Sequence, residues 1–354
     1  DHSKMDHGSM GHSVMDHGAM DHPKMNHVMH SETAIGPLVE TLTVDDLKSK
    51  ASTTLPKGKK VYDLKLVLGG DMERYIWHIN GKAIHEDRLI NINEGDVVRF
   101  TFENETMMHH PMHLHGHFFR VLNKSGDFSP LKHTVDVPPM GVRTIEFYAN
   151  EPGQWMLHCH NLYHMETGMA RVVRYNTFKM TSEQEHLDHQ DHHLHDHWYQ
   201  TGSLQLATNI VEGNYRLSQT WNEFELRGDA RADEDWNGEG DLFYRRWFNN
   251  YFNVILGGSA VGHDYRGEAG VGYILPMLIR TNLLVDHKGK FRVDLAKRFQ
   301  WTSSLFTDAE YTWRQDPDLD SEYAISLMYG NNWHWAGGIR YTGLSTGIGF
   351  QYQF

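Results

Sequence analysis

Through most of the second half of this chain, apolar and polar side chains alternate one for one, and a period of two admits only extended strands. In residues 291–299, Phe291, Val293, Leu295 and Phe299 share one face while Arg292, Asp294 and Arg298 take the other. Residues 322–329 repeat the pattern, with Tyr323, Ile325, Leu327 and Tyr329 opposing Glu322 and Ser326. Ala309, Tyr311 and Trp313 oppose Asp308, Glu310 and Arg314, and Phe224 with Leu226 opposes Glu223, Glu225 and Arg227. Gly, Asn and Asp turns separate these segments.

Alternation fits a soluble sandwich with its charges outward as well as a membrane barrel with its charges inward. Segment length and chemistry point to the barrel: the runs are about ten residues long, and Trp and Tyr recur near their ends. At the C-terminus, Ile348, Phe350, Tyr352 and Phe354 alternate with Gly349, Gln351 and Gln353, which resembles the closing strand of outer-membrane proteins. No apolar run reaches the roughly eighteen residues of a transmembrane helix. Roughly 155 residues, at about ten per strand plus turns, predict an even count of ten or twelve strands.

Earlier in the chain, residues 35–178 hold shorter β-rich runs (61–68, 96–103, 143–148) between Gly, Pro and Asn turns, the pattern of a Greek-key sandwich. The expected fold class is therefore all-β, a Greek-key sandwich followed by an antiparallel outer-membrane barrel. Four parts are expected: a disordered repeat segment at 1–34, the sandwich at 35–178, a His-rich linker at 179–198, and the barrel at 199–354.

The repeat segment has a period of five, with His2, His7, His12, His17, His22 and His27 in step with Met5, Met10, Met15, Met20 and Met25. Nothing there can form an apolar core. Thioethers favour Cu(I), and imidazole accepts either oxidation state of copper, so these residues are expected to hold copper loosely. The linker repeats the theme with His186, His189, His192, His193, His195 and His197, of which His189, His192, His193 and His195 are the expected auxiliary ligands. With 27 His, 17 Met and one Cys, soft and borderline ligands dominate the chain's chemistry. The formal charge is −13 and Lys and Arg form no basic stripe, which excludes nucleic acid and favours cations as partners.

The densest ligand array runs His110-Pro111-Met112-His113-Leu114-His115-Gly116-His117-Phe118, then Trp155-Met156-Leu157-His158-Cys159-His160, then His164 and Met169. On a strand, His113 and His115 face together, as do His158 and His160, while Cys159 faces the opposite side. On the Cys159 side, His110 and His164 can join the thiolate with Met169 as a weak axial ligand, the donor set of a blue copper site. On the other side, four imidazoles are presented to a neighbouring surface, suiting a bridged copper cluster that reduces oxygen.

These motifs, His-Pro-x-His-x-His-Gly and His-Cys-His-x3-His-x4-Met, resemble the last cupredoxin domain of the copper-resistance multicopper oxidases over residues 77–174. The resemblance implies that His110, Cys159, His164 and Met169 are type 1 copper ligands, His113 a type 2 ligand, and His115, His158 and His160 type 3 ligands, with Cys159, His158 and His160 at the catalytic heart. His109, His117 and His133 match no ligand position and, with His78 and His85, are expected to be structural or solvent-facing. Members of that family draw two further His-x-His pairs from an earlier cupredoxin domain. A preceding portion of the protein, a partner, or a symmetric homodimer would complete the cluster; the first is expected, because Met/His repeats in this family precede the final domain and Asp1 falls within one.

The second half is similar to the copper-resistance outer-membrane barrel family in its strand spacing and in segments such as Phe243-Tyr244-Arg245-Arg246 and Asp286-His287-Lys288-Gly289-Lys290. Its inward charges are expected to form a salt-bridged plug. Together the resemblances imply a copper-resistance protein of the outer membrane with its sandwich in the periplasm, oxidising Cu(I) or phenol-like reductants with O2. Copper is the implied cofactor, and copper ions, O2 and outer-membrane lipid the implied partners. Two alternatives stay open: a non-enzymatic copper-binding, electron-transfer cupredoxin on a membrane anchor, and a copper-conducting barrel.

Overall fold

The computed structural model describes residues 42–71, 74, 76–189, 195–231, 238–330, 334–343 and 345–354. The Met/His repeat of residues 1–34, together with His192 and His193, lies outside the described residues.

Eleven strands make the sandwich: β1 (Val61–Asp71), β2 (Ile76–Ile79), β3 (Leu89–Ile92), β4 (Val97–Asn104), β5 (His110–Leu114), β6 (Phe119–Val121), β7 (Leu131–Lys132), β8 (Thr134–Val137), β9 (Val142–Tyr148), β10 (Gln154–Cys159) and β11 (Ala170–Tyr175). They form a six-stranded sheet ordered β2-β1-β4-β9-β6-β7 and a five-stranded sheet ordered β3-β11-β10-β5-β8. Most neighbours are antiparallel, but β1 runs parallel to β4 and β11 parallel to β3.

Alternation builds the core. In β4, Val98, Phe100 and Phe102 are fully buried, while Arg99 and Thr101 between them reach the surface. Leu66, Leu68, Phe100 and Phe147 from one sheet join Met112, Leu114, Leu157 and Val173 from the other in a single buried cluster. Each such side chain contributes roughly 1.5–3 kcal/mol of burial, enough together to hold polar groups in fixed places at the sheet surfaces. A short helix, α1 (Leu162–Glu166), bridges β10 and β11. A second, α2 (Ser182–His189), occupies part of the His-rich linker. It opens on a capping box: Thr181 N donates to Gln184 Oε1, and Gln184 N to Thr181 Oγ1.

The remaining strands, β12 (Tyr199–Ala207) through β23 (Thr346–Gln353), form a closed barrel of twelve. Each is antiparallel to the next, and β23 returns to β12 with Ser203 opposite Gln353 and Leu206 opposite Phe350. Closure leaves no edge strand with unpaired backbone groups. No described helix is long and apolar enough to cross a membrane.

The barrel inverts the usual order of a folded protein. Leu226, Leu242, Leu256 and Ile348 are more than half exposed on its outer face. Glu223, Asp241, Arg266, Glu268, Arg292 and Arg340 are buried within it. Alternation in the sequence sets the two faces apart; closure of the sheet determines which one turns inward. The half of the lumen nearer Tyr199 and Trp247 contains a cavity of about 540 Å³. A second, much smaller cavity, of about 10 Å³, lies around Arg292 and Asp241.

Candidate metal centres

Neighbouring strands β5 and β10 carry most of the ligand candidates. Their register pairs His113 with His158, flanked by Leu114 opposite Leu157 and Met112 opposite Cys159. The flanking pairs are fully buried, so they face the core, and the histidine pair must face away from it. His110, in step with Met112 and Leu114, also turns inward.

The inward set is compact and buried. Cys159 Sγ lies 3.8 Å from His110 Nδ1 and 3.6 Å from His164 Nδ1, and the two Nδ1 atoms are 3.0 Å apart. Gaps of this size follow when donors each sit about 2.0–2.3 Å from one ion. Cys159 N donates to Met169 O at 3.1 Å, and Met169 N to His164 O at 2.8 Å, which ties the main chain of the fully buried Met169 to both ligand residues. A thiol, two imidazoles and a thioether with no carboxylate among them form the donor set of blue copper, so the residues present fit that metal.

The far sides of both rings are engaged. His110 Nε2 meets Thr106 Oγ1 at 2.7 Å, and His164 Nε2 meets the Asn161 amide at 3.2 Å. Such partners fix ring orientation and leave Nδ1 for a metal. Trp77 stacks on His164 at 3.9 Å and meets His110 edge-on at 5.3 Å.

Burial, helped by the neighbouring His164 and His109, holds the His110 imidazole down to about 3. Burial alone holds His164 down to about 4; burial, aided by the Asp136 carboxylate and opposed by the Asn161 backbone, pushes the Cys159 thiol up to about 12. Without copper, both rings are therefore neutral donors at pH 7 and the sulfur keeps its proton. Because each histidine pKa lies below its ordinary 6.5, the unfolded chain binds more protons at acid pH. The stability these groups provide is thus present above pH 6.5 and lost as pH falls. The loss steepens as the unfolded rings fill with protons, approaching about 2.7 kcal/mol per pH unit for the two together about one unit below 6.5. Urea midpoints of the copper-free chain at pH 7 and pH 5.5 test this, and equal midpoints would contradict it.

The outward set is shallower. His115 Nε2 and His158 Nε2 are 3.1 Å apart, and the His113 ring lies 4.8 Å from His115 and 5.5 Å from His158. Potential ligand atoms of all three fall within 4.8 Å of one another. His113 Nδ1 meets His133 O at 2.7 Å, and His158 Nδ1 meets Cys159 O at 2.9 Å, so each ring has one nitrogen engaged by backbone. His160 stands just outside this group, its ring 5.7 Å from His113 and 5.8 Å from His158. Strand β10 ends at Cys159, so His160 is already leaving the sheet. Gly116, at φ +69, turns the chain directly after His115, where a Cβ would run into the Trp155 ring.

None of the other sandwich histidines joins either set. His109 meets Asp136 at 2.7 Å on the surface, His117 is buried against the Tyr175 hydroxyl at 2.7 Å, and His85 faces Asp196 at 3.7 Å. His78 meets Asn250 at 3.0 Å. His133 borders the outward set through its carbonyl, which meets His113 Nδ1, and through its ring, whose Nδ1 lies 3.4 Å from the same atom. In the linker, the His195 ring lies 6.3 Å from His197, and among the described residues it belongs to no group of three or more ligands. The His189 side chain lies outside what is described. Thr106, Asn161 and Trp77 are the site residues that motif reading passes over.

Residues 57–179 match the family described as multicopper oxidase. Copper resistance protein A of Escherichia coli is 40% identical over 136 residues, which are 38% of this chain and 22% of that protein. Multicopper oxidase MmcO of Mycobacterium tuberculosis is 36% identical over 133 residues, 38% of this chain and 26% of that protein. Among solved structures, the McoA multicopper oxidase of Aquifex aeolicus aligns at a TM-score of 0.30 with 30% identity, over 36% of this chain and 32% of that one. The sandwich is thus a multicopper-oxidase cupredoxin-like domain, and the chain spans only about a quarter of the length of the curated relatives it matches.

Proposed function

We propose that this chain is the cupredoxin module of a copper-resistance multicopper oxidase, held in the outer membrane by its barrel with the sandwich on the periplasmic side. Its reductant is Cu(I) or a phenol-like molecule and its oxidant O2. The observation that carries this reading is the shared strand: Cys159 belongs to the buried set while His158, the adjacent residue, belongs to the outward one. Copper, when bound, would supply one-electron redox chemistry at the inward, type 1 set and oxygen reduction at the outward, type 2 and type 3 set.

The rest is done by the chain's own residues. His110, Cys159, His164 and Met169 hold the buried site, and the surrounding core keeps water from it. Thr106 and Asn161 aim the imidazoles. One short stretch of backbone through Cys159 joins the two ligand sets covalently. Met107 and Met140 expose their thioethers on loops tied together by Met140 N donating to Thr106 O, and Thr106 in turn holds His110. Thioethers prefer Cu(I), which supports that ion as a reductant reaching the His110 side.

The outward imidazoles, His113, His115, His158 and His160, are half of a cluster. A preceding portion, a partner, or a second copy would bring the other half, and the much greater length of the matched relatives supports the first. The barrel's apolar outer face supports membrane anchorage, and its charged interior supports a plug rather than a copper path.

The incomplete cluster also favours a second reading, a copper-binding electron-transfer module without oxidase activity. Oxygen uptake driven by Cu(I), measured on the protein as purified from its own membrane, separates the two. Uptake that disappears on His113→Ala supports the oxidase. Bleaching of the visible band by Cu(I) without uptake supports electron transfer alone.

A further inference from the structure

The barrel's contacts with the sandwich converge on the segment that carries His164 and Met169. Tyr199, the first residue of β12, donates its hydroxyl to Glu166 O at 2.9 Å. Glu166 closes α1, the helix on which His164 sits. Asn250, in the turn after β15 (Gly238–Trp247), meets His78 Nε2 at 3.0 Å. His78 follows Trp77, whose indole stacks on His164.

A third contact reaches the same segment by another route. Trp221, in the turn before β14 (Asn222–Arg231), donates Nε1–H to Glu86 Oε1 at 2.6 Å. The other oxygen of Glu86 accepts from Ala83 N at 2.9 Å, and Ile84 N donates to Gly168 O at 3.1 Å. Gly168 has φ +127 and sits so close that a Cβ there would lie 2.6 Å from both Ala83 Cβ and Trp77 O. The next residue is Met169. Between these contacts, the buried Arg74 guanidinium lies 3.9 Å over the Trp247 ring and donates to Thr220 O at 3.2 Å.

We propose that the barrel rim is a positioning element for the copper site: Tyr199, Asn250 and Trp221 brace α1, β2 and the 83–86 turn, and through them the ligand loop from Cys159 to Met169. The proposal rests on the reading of His110, Cys159, His164 and Met169 as copper ligands. Loops gain the rigidity a metal site needs from supports outside the ligands themselves. Here that support comes from the barrel rim, so membrane anchorage and site geometry are tied together.

The test uses the full-length chain in detergent, with Tyr199→Phe and Asn250→Ala singly and combined, and Trp221→Phe as an independent third variant. In the copper-free protein, the readout is the rate at which dithiobis-nitrobenzoate modifies Cys159, the chain's one cysteine and fully buried. In the copper-loaded protein, it is the thiolate-to-Cu(II) absorption together with the electron paramagnetic resonance spectrum. Each lost hydrogen bond is expected to speed modification by about fivefold, with the double variant compounding the gain and shifting both spectra. The heat-induced gel shift of the barrel is expected to stay as in the parent. Unchanged modification rates and spectra in the double variant overturn the proposal, and Trp221→Phe decides in the same way if the double variant does not fold. A parent protein without any thiolate-to-Cu(II) band would instead sink the ligand reading, while the Cys159 rates would still judge the bracing.

Discussion

Replacing Cys159 by serine is expected to abolish the intense visible absorption of the copper-loaded protein while leaving the barrel folded. The band depends on a thiolate in direct contact with Cu(II), and the sulfur is the only such donor among His110, His164 and Met169. A hydroxyl in its place is a harder ligand and cannot supply the same charge transfer. It would also be a polar group in a fully buried, largely apolar pocket, costing the sandwich about 1–3 kcal/mol. The barrel should not register that loss, because its small apolar cluster of Phe243, Ile255 and Leu284 is separate from the sandwich core. Absorption spectra before and after loading, with the heat-induced gel shift as the control for the barrel, measure both halves of the expectation. Colour persisting in the serine variant would show that the sulfur is not a ligand.

That expectation was readable in the sequence because strand geometry is so regular. Once residues 158–160 are extended, Cys159 must oppose its two neighbours, and the register with β5 repeats the logic at Met112 and His113. The rule still places His160 on the outward side, its ring stacked 5.8 Å from His158 and 5.7 Å from His113, although β10 ends at Cys159. The braces of the site were not readable. Trp77 stacks on a histidine far away in the chain, and neither its neighbours nor its spacing point to that contact. Thr106 lies close enough to His110 to be noticed, but a threonine four residues before a histidine has many uses. In the linker, Thr181 and Gln184 do spell a capping box, a local signal for α2 outweighed by the His-rich composition around it. For the barrel, alternation separates Glu223 from Phe224 unambiguously. Which of them faces inward needs more than alternation: segment length, the aromatics near strand ends and the C-terminal pattern point to charges inward, and in the closed sheet Glu223 is 1% exposed and Phe224 44%.

The other large effect is expected from Arg292→Leu, in β19 (Phe291–Gln300) of the barrel. Both terminal nitrogens of Arg292 grip Asp241 at 2.9 Å, and Nε holds Asp294 at 2.8 Å. Glu239 and Glu268 stand 3.5 Å away. Removing the guanidinium leaves these carboxylates without their shared counterion inside the barrel, where Asp241, Glu268 and Asp294 are all buried. Breaking a buried ion pair on one side costs about 3–5 kcal/mol, because the surviving charge keeps its desolvation penalty. Arg292→Lys should recover only part of that loss, since an ammonium cannot hold two carboxylates in a fork. Nearby pairs do not replace the missing contact: Arg314 is already joined to Glu239, and Arg266 to Asp286 and Asp316, each at 2.7 Å for the latter two. The urea midpoint of the barrel's heat-induced gel shift measures the effect. A midpoint equal to the parent's would mean that water reaches these carboxylates freely, and a hydrated, charged lumen of that kind would restore the copper-conducting barrel as the better account of this half of the chain.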